Sequence, residues 1–182
     1  MRRDRNAVPG RGRRGRPGGP AHPDRNGGPA GIKWIGGRPV AEPFAYAHWD
    51  DLTEGARREL TVGPLTRTDF VRFAGANGDF NPNHHDEIYA IQSGFEKVFA
   101  PGMLQGGYLG RLVSEWVGPG ALRSFRLRFS SQAWPGDMVI CRAKVVRRFE
   151  EGGERRVEIE AEAVSQSGDA LIKAHAVAAP QS

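Results

Sequence analysis

The sequence holds a single cysteine, Cys141, among its 182 residues. One thiol excludes an internal disulfide, and it also excludes the zinc sites that need several cysteine ligands. Cys141 lies among apolar residues in a strand-like segment, so we expect it to pack as a small hydrophobic side chain. Low cysteine content is typical of proteins in a reducing compartment, and the sequence therefore predicts a cytoplasmic protein.

Long apolar runs are also missing. No stretch reaches the roughly 18 consecutive apolar residues that a membrane-spanning helix requires. The N-terminus is basic but lacks the apolar segment of a secretory signal. We therefore expect neither membrane insertion nor a secretory leader.

Acidic residues are scarce at the N-terminus. Residues 1–30 contain eight arginines and two aspartates, together with seven glycines and five prolines, so this stretch carries a charge of +6. The remaining 152 residues carry −1. A segment that buries so little apolar surface does not offset its ordering entropy, which predicts a disordered tail over 1–33 and one folded domain over 34–182. The near-neutral domain gives no indication of a nucleic-acid partner.

One long helix is predicted at Met103–Val117, where Leu104, Tyr108, Leu112 and Trp116 follow a four-residue spacing. Glycines in a helix interior cost up to about 1 kcal/mol each relative to alanine. We therefore expect another element to pack closely against this helix at the three glycines that it contains, Gly106, Gly107 and Gly110.

Segments with strand character follow this helix and are separated by turn-forming residues. They span 124–129, 138–146, 156–164 and 170–177. Four such strands predict an antiparallel meander wrapped around the helix, which is an α+β architecture. Ahead of the helix we expect short strands at 47–52 and 58–62, a short helix at 86–93, and a helix capped within Thr66–Asp69 that turns Phe70, Phe73 and Ala74 inward.

Candidate catalytic residues lie in the turn-rich stretch that follows this capped helix. Asp79 and His84 are five residues apart across an Asn-Pro turn, close enough to converge on one water molecule. Such a pair can hold water between an acceptor and a donor and can move protons near neutral pH. Aspartate and histidine in such loops also serve as caps and surface groups, so the residues alone leave both interpretations open.

A second candidate feature is the glycine in Ala100-Pro-Gly-Met103, at the start of the predicted long helix. The first N–H groups of a helix are unpaired, and the helix dipole favours an anion there. An Asp–His pair followed by an oxyanion donor would form the two halves of an active site. His85 and His175 are expected to be a solvent-facing neighbour and a structural strand residue. Because His84, His85 and Asp86 are adjacent, they do not predict a metal site.

The stretch Gly78-Asp-Phe-Asn-Pro-Asn-His84, followed by Asp86, resembles the G-D-x-N-P-x-H-x-D signature of the MaoC-like (R)-specific enoyl-CoA hydratases and dehydratases, which have the hotdog fold. Ala100–Met103 resembles the segment before that family's central helix. The approach over 63–74 and the Pro135-Gly-Asp137 turn also fit. The resemblance covers roughly residues 46 to 178.

This resemblance implies that Asp79 and His84 are the catalytic pair and that the Gly102 amide polarises a thioester carbonyl. It also implies that Asn81, Pro101 and Met103 bind substrate. The chain departs from the family pattern by carrying Asn83 in place of Ile or Leu, Pro101 in place of His, and Asn77 in place of Ser or Thr. These departures bear on the substrate range more than on the chemistry.

The implied function is that of a hydro-lyase adding water reversibly to a trans-2-enoyl thioester, carried on CoA or acyl carrier protein, without metal or redox cofactor. The implied partners are an acyl-CoA substrate and a second hotdog chain, in a homodimer or heterodimer. Alternatives are a non-catalytic or partner-dependent subunit of a heteromeric hydratase, and a binding module acting through the basic tail. A thioesterase is less favoured, because Glu115 is the only carboxylate on the predicted central helix and lies near its C-terminal end.

Overall fold

The computed structural model describes residues 33–35, 38–40 and 45–181. The chain divides into two units, residues 1–43 and 44–182. In the first unit, the described backbone forms the antiparallel strands β1 (Lys33–Ile35) and β2 (Arg38–Val40). The predicted disordered tail lies outside the described residues except at its last position, Lys33, and stays a prediction.

The second unit is a five-stranded antiparallel sheet with three helices, an α+β architecture as predicted. The strands lie in the order β3-β5-β6-β7-β4. They are β3 (Arg57–Val62), β4 (Leu122–Phe129), β5 (Val139–Glu151), β6 (Glu154–Ser165) and β7 (Ala170–Ala178). The helices are α1 (Arg67–Asn77), α2 (Glu87–Gln92) and α3 (Gly102–Val117).

The predicted meander is wrong for β4, which pairs with β7 at the sheet edge and not with β5. Tight turns join β5 to β6 and β6 to β7, so those three strands are neighbours as expected. The connection from β4 to β5 is longer than a hairpin loop, because it spans residues 130–138. It is also anchored away from β4, since Ala133 is buried and its carbonyl accepts a hydrogen bond from Ala100 N at 2.8 Å.

The predicted strand at 47–52 is also wrong, because this stretch contains a 3-10 turn at Trp49–Asp51. The Asp51 carboxylate accepts a hydrogen bond from His48 N at 3.0 Å, and Asp51 N donates to the His48 carbonyl at 3.0 Å. Local side-chain to backbone bonds of this kind give the chain an alternative to strand pairing.

Helix α1 begins as its sequence predicts. The Thr66 hydroxyl accepts a hydrogen bond from Asp69 N at 3.2 Å, and the Asp69 carboxylate accepts from Thr66 N at 2.8 Å. This reciprocal pair is a capping box. The Thr66 hydroxyl also donates to the Asp69 carboxylate at 2.6 Å, and this bond, together with the one from Thr66 N, holds the pKa of Asp69 below its ordinary value. Phe70 and Ala74 are buried and Phe73 is half-buried, which confirms the predicted inward face.

Helix α3 packs its apolar stripe into the core of the sheet. Leu104, Leu112 and Trp116 are buried as predicted and Val113 is buried beside them, whereas Tyr108 is only half-buried. Cys141 on β5 is fully buried, which confirms its expected packing, and burial raises the pKa of its thiol to about 12. The apolar inner face of the sheet therefore covers the helix from one side.

The close packing predicted at the helix glycines occurs against the edge strand β4. A Cβ atom added to Gly106 would lie 2.8 Å from Leu127 Cδ1, and one added to Gly110 would lie 3.8 Å from the Phe125 ring. Gly106 and Gly110 are four residues apart on the helix, a rise of about 6 Å, and Leu127 and Phe125 are two residues apart on the strand, a rise of about 6.7 Å. The two spacings are similar, so each glycine can face one side chain of β4. The expectation is wrong for Gly107, which is exposed and has nothing within 4 Å of its added Cβ.

No helix in the range 45–181 is long and apolar enough to cross a membrane. The cytoplasmic location stays a prediction.

Candidate active site

The loop after α1 is built by side chains at every second position. Gly78 ends the helix with a φ of 79°, a left-handed conformation that favours glycine. Asn77 Oδ1 then accepts a hydrogen bond from Asp79 N at 2.9 Å, Asp79 Oδ1 accepts from Asn81 N at 3.3 Å, and Asn81 Oδ1 accepts from Asn83 N at 3.1 Å. These consecutive Asx turns fix the loop, and they leave the second carboxylate oxygen of Asp79 outside the turn network.

His84 ends the 3-10 turn Pro82–His84 and is 7 % exposed. Its Nδ1 lies 2.9 Å from the Phe99 carbonyl oxygen, and its ring meets the Phe99 ring edge-on with 4.9 Å between the centroids. A carbonyl oxygen only accepts hydrogen bonds, so Nδ1 carries a proton and donates the hydrogen bond. The neutral imidazole then has its lone pair on Nε2, the nitrogen nearer to Asp79.

Asp79 and His84 come together as the sequence predicts, with Asp79 Oδ2 3.7 Å from His84 Nε2. This distance is longer than a direct hydrogen bond, and it leaves both atoms able to contact the same water or hydroxyl oxygen. The histidine side chain is buried, whereas the aspartate side chain is 42 % exposed. The pair therefore has one rigid, desolvated member and one that solvent reaches.

Gly102 is the first residue of α3, so its N–H has no acceptor within the helix. It lies three residues after Phe99, whose carbonyl holds His84, and three residues span at most about 11 Å. The Phe129 ring packs against this glycine, because a Cβ added to Gly102 would lie 3.1 Å from Phe129 Cε1. The chain therefore keeps this amide within about 11 Å of Phe99, the residue that holds His84, and against an aromatic ring.

The other predicted site residues differ in their exposure. Pro101 is buried at the N-cap of α3, Met103 is 53 % exposed, and Asn81 is exposed with its side-chain oxygen engaged in the loop. His85 is exposed, as predicted for a neighbour outside the site. No three His, Cys, Asp or Glu side chains in the described part of the chain cluster in a way that would hold a metal ion.

Sequence reasoning missed two aromatic residues of this region. Phe99 supplies both contacts that orient His84, and Phe129 packs on Gly102. Phe129 carries a weak signal, since it continues the alternation of Phe125 and Leu127 along β4. Phe99 carries no such signal, because its backbone carbonyl and its ring meet His84 only once the chain has folded.

The profile of the MaoC-like domain matches residues 51–167, which include the Asp79–His84 loop, the start of α3 and four of the sheet strands. The chain belongs to this family. A curated relative, the (R)-specific enoyl-CoA hydratase of Rhodospirillum rubrum, is 31% identical over 101 residues, covering 54% of this chain and 69% of the relative. This MaoC-like chain thus shares its family with a hydratase, and the family resemblance that the sequence indicates is confirmed.

Solved structures confirm the hotdog fold. The unliganded R-hydratase PhaJ1 from Pseudomonas aeruginosa is 26% identical and superposes with a TM-score of 0.66, covering 74% of this chain and 85% of that one. The ChsH1–ChsH2 complex from Mycobacterium tuberculosis gives a TM-score of 0.62 at 24% identity, covering 71% of this chain and 98% of that one. The five-stranded sheet around α3 is therefore the hotdog architecture of MaoC-like proteins.

Proposed function

We propose that this MaoC-like chain is a hydro-lyase that adds water reversibly to a trans-2-enoyl thioester and forms an (R)-3-hydroxyacyl thioester. The observation that carries the proposal is the gap of 3.7 Å between Asp79 Oδ2 and His84 Nε2. One carboxylate oxygen and one imidazole nitrogen can contact a single water molecule there, and acid–base transfer requires that geometry first. The similarity to an (R)-specific enoyl-CoA hydratase supports the same chemistry.

In the proposed reaction, the water oxygen bonds to C3 of the enoyl group and a proton is added to C2. One of Asp79 and His84 accepts a proton from the water, and the other, in its protonated form, donates a proton at C2, so the pair holds the same number of protons before and after the reaction. The Phe99 carbonyl holds the proton on His84 Nδ1, so proton exchange on this ring takes place at Nε2. The buried ring keeps that nitrogen in a fixed orientation while the more exposed carboxylate admits water.

The Gly102 amide is proposed to bind the thioester carbonyl oxygen. Negative charge develops on that oxygen as C2 gains carbanion character, and an unpaired N–H at a helix N-terminus stabilises it. The thioester itself acidifies C2, so the proposed chemistry calls for no metal or redox cofactor. Pro101 and Met103 flank this amide and are proposed to contact the acyl thioester.

The test is to measure crotonyl-CoA hydration by Asp79→Asn and His84→Ala variants. Loss of a positioned acid–base group reduces turnover by about 10²- to 10⁴-fold, and we expect each variant to lose at least about 10²-fold in turnover. His85→Ala is the matched control, because its side chain is exposed outside the site. Full turnover in either site variant, with circular dichroism confirming a folded chain, would refute the assignment.

A partner-dependent subunit is a second candidate, favoured by apolar side chains exposed on the elements of the site. Met103 and Phe129 are 53% and 50% exposed, and Phe129 ends the edge strand β4. We infer that a second hotdog chain covers this region, either another copy or a different subunit as in the ChsH1–ChsH2 complex. Light scattering combined with the hydration assay separates the two cases. An active homodimer supports the first, and a purified chain that hydrates only after a second subunit is added supports the other.

A further inference from the structure

The outer face of the sheet, opposite α3, carries an open groove of about 780 Å³ that all five strands line. Seven arginine or lysine residues and three glutamates border it. Arg58 is opposite the buried Ala143 and so belongs to the inner face, which leaves a net charge of +3 on the outer face with histidine taken as neutral. Residues 31–182 together have a net charge of −1. The fold therefore concentrates on one face a positive charge that the composition of the domain conceals.

The charges of this outer groove are arranged in lanes that follow the strands. Glu160 and Glu162 of β6 form an acidic lane in the middle. On one side, Lys144 and Arg142 of β5 lie directly opposite them in the sheet register. Opposed residues of neighbouring strands point to the same face, so this first basic lane borders the acidic one.

A second basic lane lies on the other side, along β7 and the edge strand β4. Lys173 is opposite Glu162 on one side and opposite Arg128 on the other, and Arg126 is opposite His175 in the next row. Among residues 45–181, no carboxylate lies within 4.0 Å of Arg126, Arg128 or Lys173. This lane therefore holds cations whose charge the described chain does not pair.

The chemistry of the groove favours carboxylates over phosphates. Its floor is the middle of a sheet, where the backbone N–H groups are paired between strands, so it lacks the free amides of a helix N-terminus that bind phosphate. A phosphodiester chain that crosses the groove would also approach Glu160 and Glu162, and it has no positive charge of its own to place against them. A protein surface can present charges of both signs, and a second copy of this face would bring +3 against +3.

We propose that the outer groove docks the acidic surface of a partner protein, which presents carboxylates to the two basic lanes and a cation to the Glu160–Glu162 lane. Complementary lanes of this kind steer association and set the register of a complex. This surface lies on the opposite side of the sheet from α3, so the proposal does not rest on the proposed hydratase activity.

The experiment uses two probes. One is a fluorescent helical peptide of about 20 residues whose one face carries a row of Lys between two rows of Glu, all running along its length. The other is an oligonucleotide of equal net charge. Anisotropy measures the binding of each probe to the full-length chain and to an Arg126→Glu/Arg128→Glu variant. The matched control is Arg72→Glu/Arg155→Glu, which makes the same charge change at two exposed arginines outside the groove. All three proteins share the basic N-terminal segment, so its contribution cancels.

We expect the groove variant to bind the peptide at least about tenfold more weakly than the control variant does. A second peptide, in which Lys replaces Glu in both outer rows, should bind to the groove variant more tightly than to the wild-type chain. That binding would also show that the variant is folded. Equal losses in both variants, no peptide binding by the wild-type chain, or groove-dependent binding of the oligonucleotide in preference to the peptide would overturn the proposal.

Discussion

The inner face of the five-stranded sheet packs against α3 and supports the candidate site, whereas the outer face is open and charged. On the inner face, Leu127 approaches the helix so closely that a methyl group at Gly106 would lie 2.8 Å from it. On the outer face, the cations of β4 and β7 face a groove of about 780 Å³. The same strand, β4, contributes to both faces through alternate residues. Tight packing on one side thus fixes the strand, and the other side is free to carry charge.

The largest effect on stability should come from the inner face, at Gly106. A Gly106→Ala change places a methyl group against Leu127, and overpacking of this kind costs about 1–3 kcal/mol, which the gain in helix propensity of up to about 1 kcal/mol only partly offsets. Gly107→Ala is the matched control, because its added Cβ has open space and alanine gains up to about 1 kcal/mol of helix propensity. Chemical denaturation measures both. Equal stabilisation by the two variants would show that β4 does not constrain the helix.

A smaller effect, seen mainly in turnover, is expected at the start of α3. Gly102→Ala keeps the amide but moves a methyl group to 3.1 Å from the Phe129 ring, so we expect kcat to fall by about tenfold, equivalent to about 1.4 kcal/mol. Phe129→Ala removes the obstacle, and the double variant should recover most of the kcat lost by Gly102→Ala. Kinetics of the four proteins measure this coupling. Additive losses would contradict a steric link between the ring and the amide.

The paired charges at the rim of the sheet should give a smaller effect, limited to acid. Glu154 binds Arg123 at 2.7 Å and Arg156 at 2.8 Å, and these bonds lower its pKa from 4.5 to about 2. A lowered pKa in the folded state contributes stability above pH 4.5 that is lost as the pH falls toward 2. Glu154→Gln should therefore flatten the fall in stability over this range. An unchanged pH profile of unfolding would contradict the role of these pairs.

The smallest effect on stability is expected from the groove on the outer face. Arg126 and Arg128 are exposed and unpaired within the described chain, so reversing both charges should change the free energy of unfolding by less than about 0.5 kcal/mol per site. Hydration of crotonyl-CoA should also stay unchanged. A large loss of stability would show that the outer charges maintain the sheet, and would remove the distinction between the two faces.

Features that depend on neighbouring residues could be predicted from the sequence. The capping box at Thr66, the helix of α3 and the convergence of Asp79 with His84 all arise within short segments. The pairing of β4 with β7 could not be predicted, because the Pro135-Gly-Asp137 turn in the connection to β5 indicates a hairpin, and the long-range contacts that place β4 beside β7 leave no local signal. The contact of Gly102 with Phe129 depends on the same long-range pairing.

The charged groove was hidden for a related reason. Its cations are spread from Arg57 to Lys173 and alternate with buried residues, and their lanes exist only once the register of five strands is set. A slip of one residue would turn a strand's charges to the opposite face. Composition therefore reports a near-neutral domain, while the register creates a basic face.

The most direct test of the account is the product that the purified chain forms from crotonyl-CoA in deuterated water, followed by nuclear magnetic resonance. The account predicts deuterium at C2 and a hydroxyl group at C3 in the (R) configuration, because Asp79 and His84 deliver water across the carbon–carbon double bond. Release of crotonate and free CoA would show that water attacks the thioester carbonyl instead, and would contradict the proposed role of the pair.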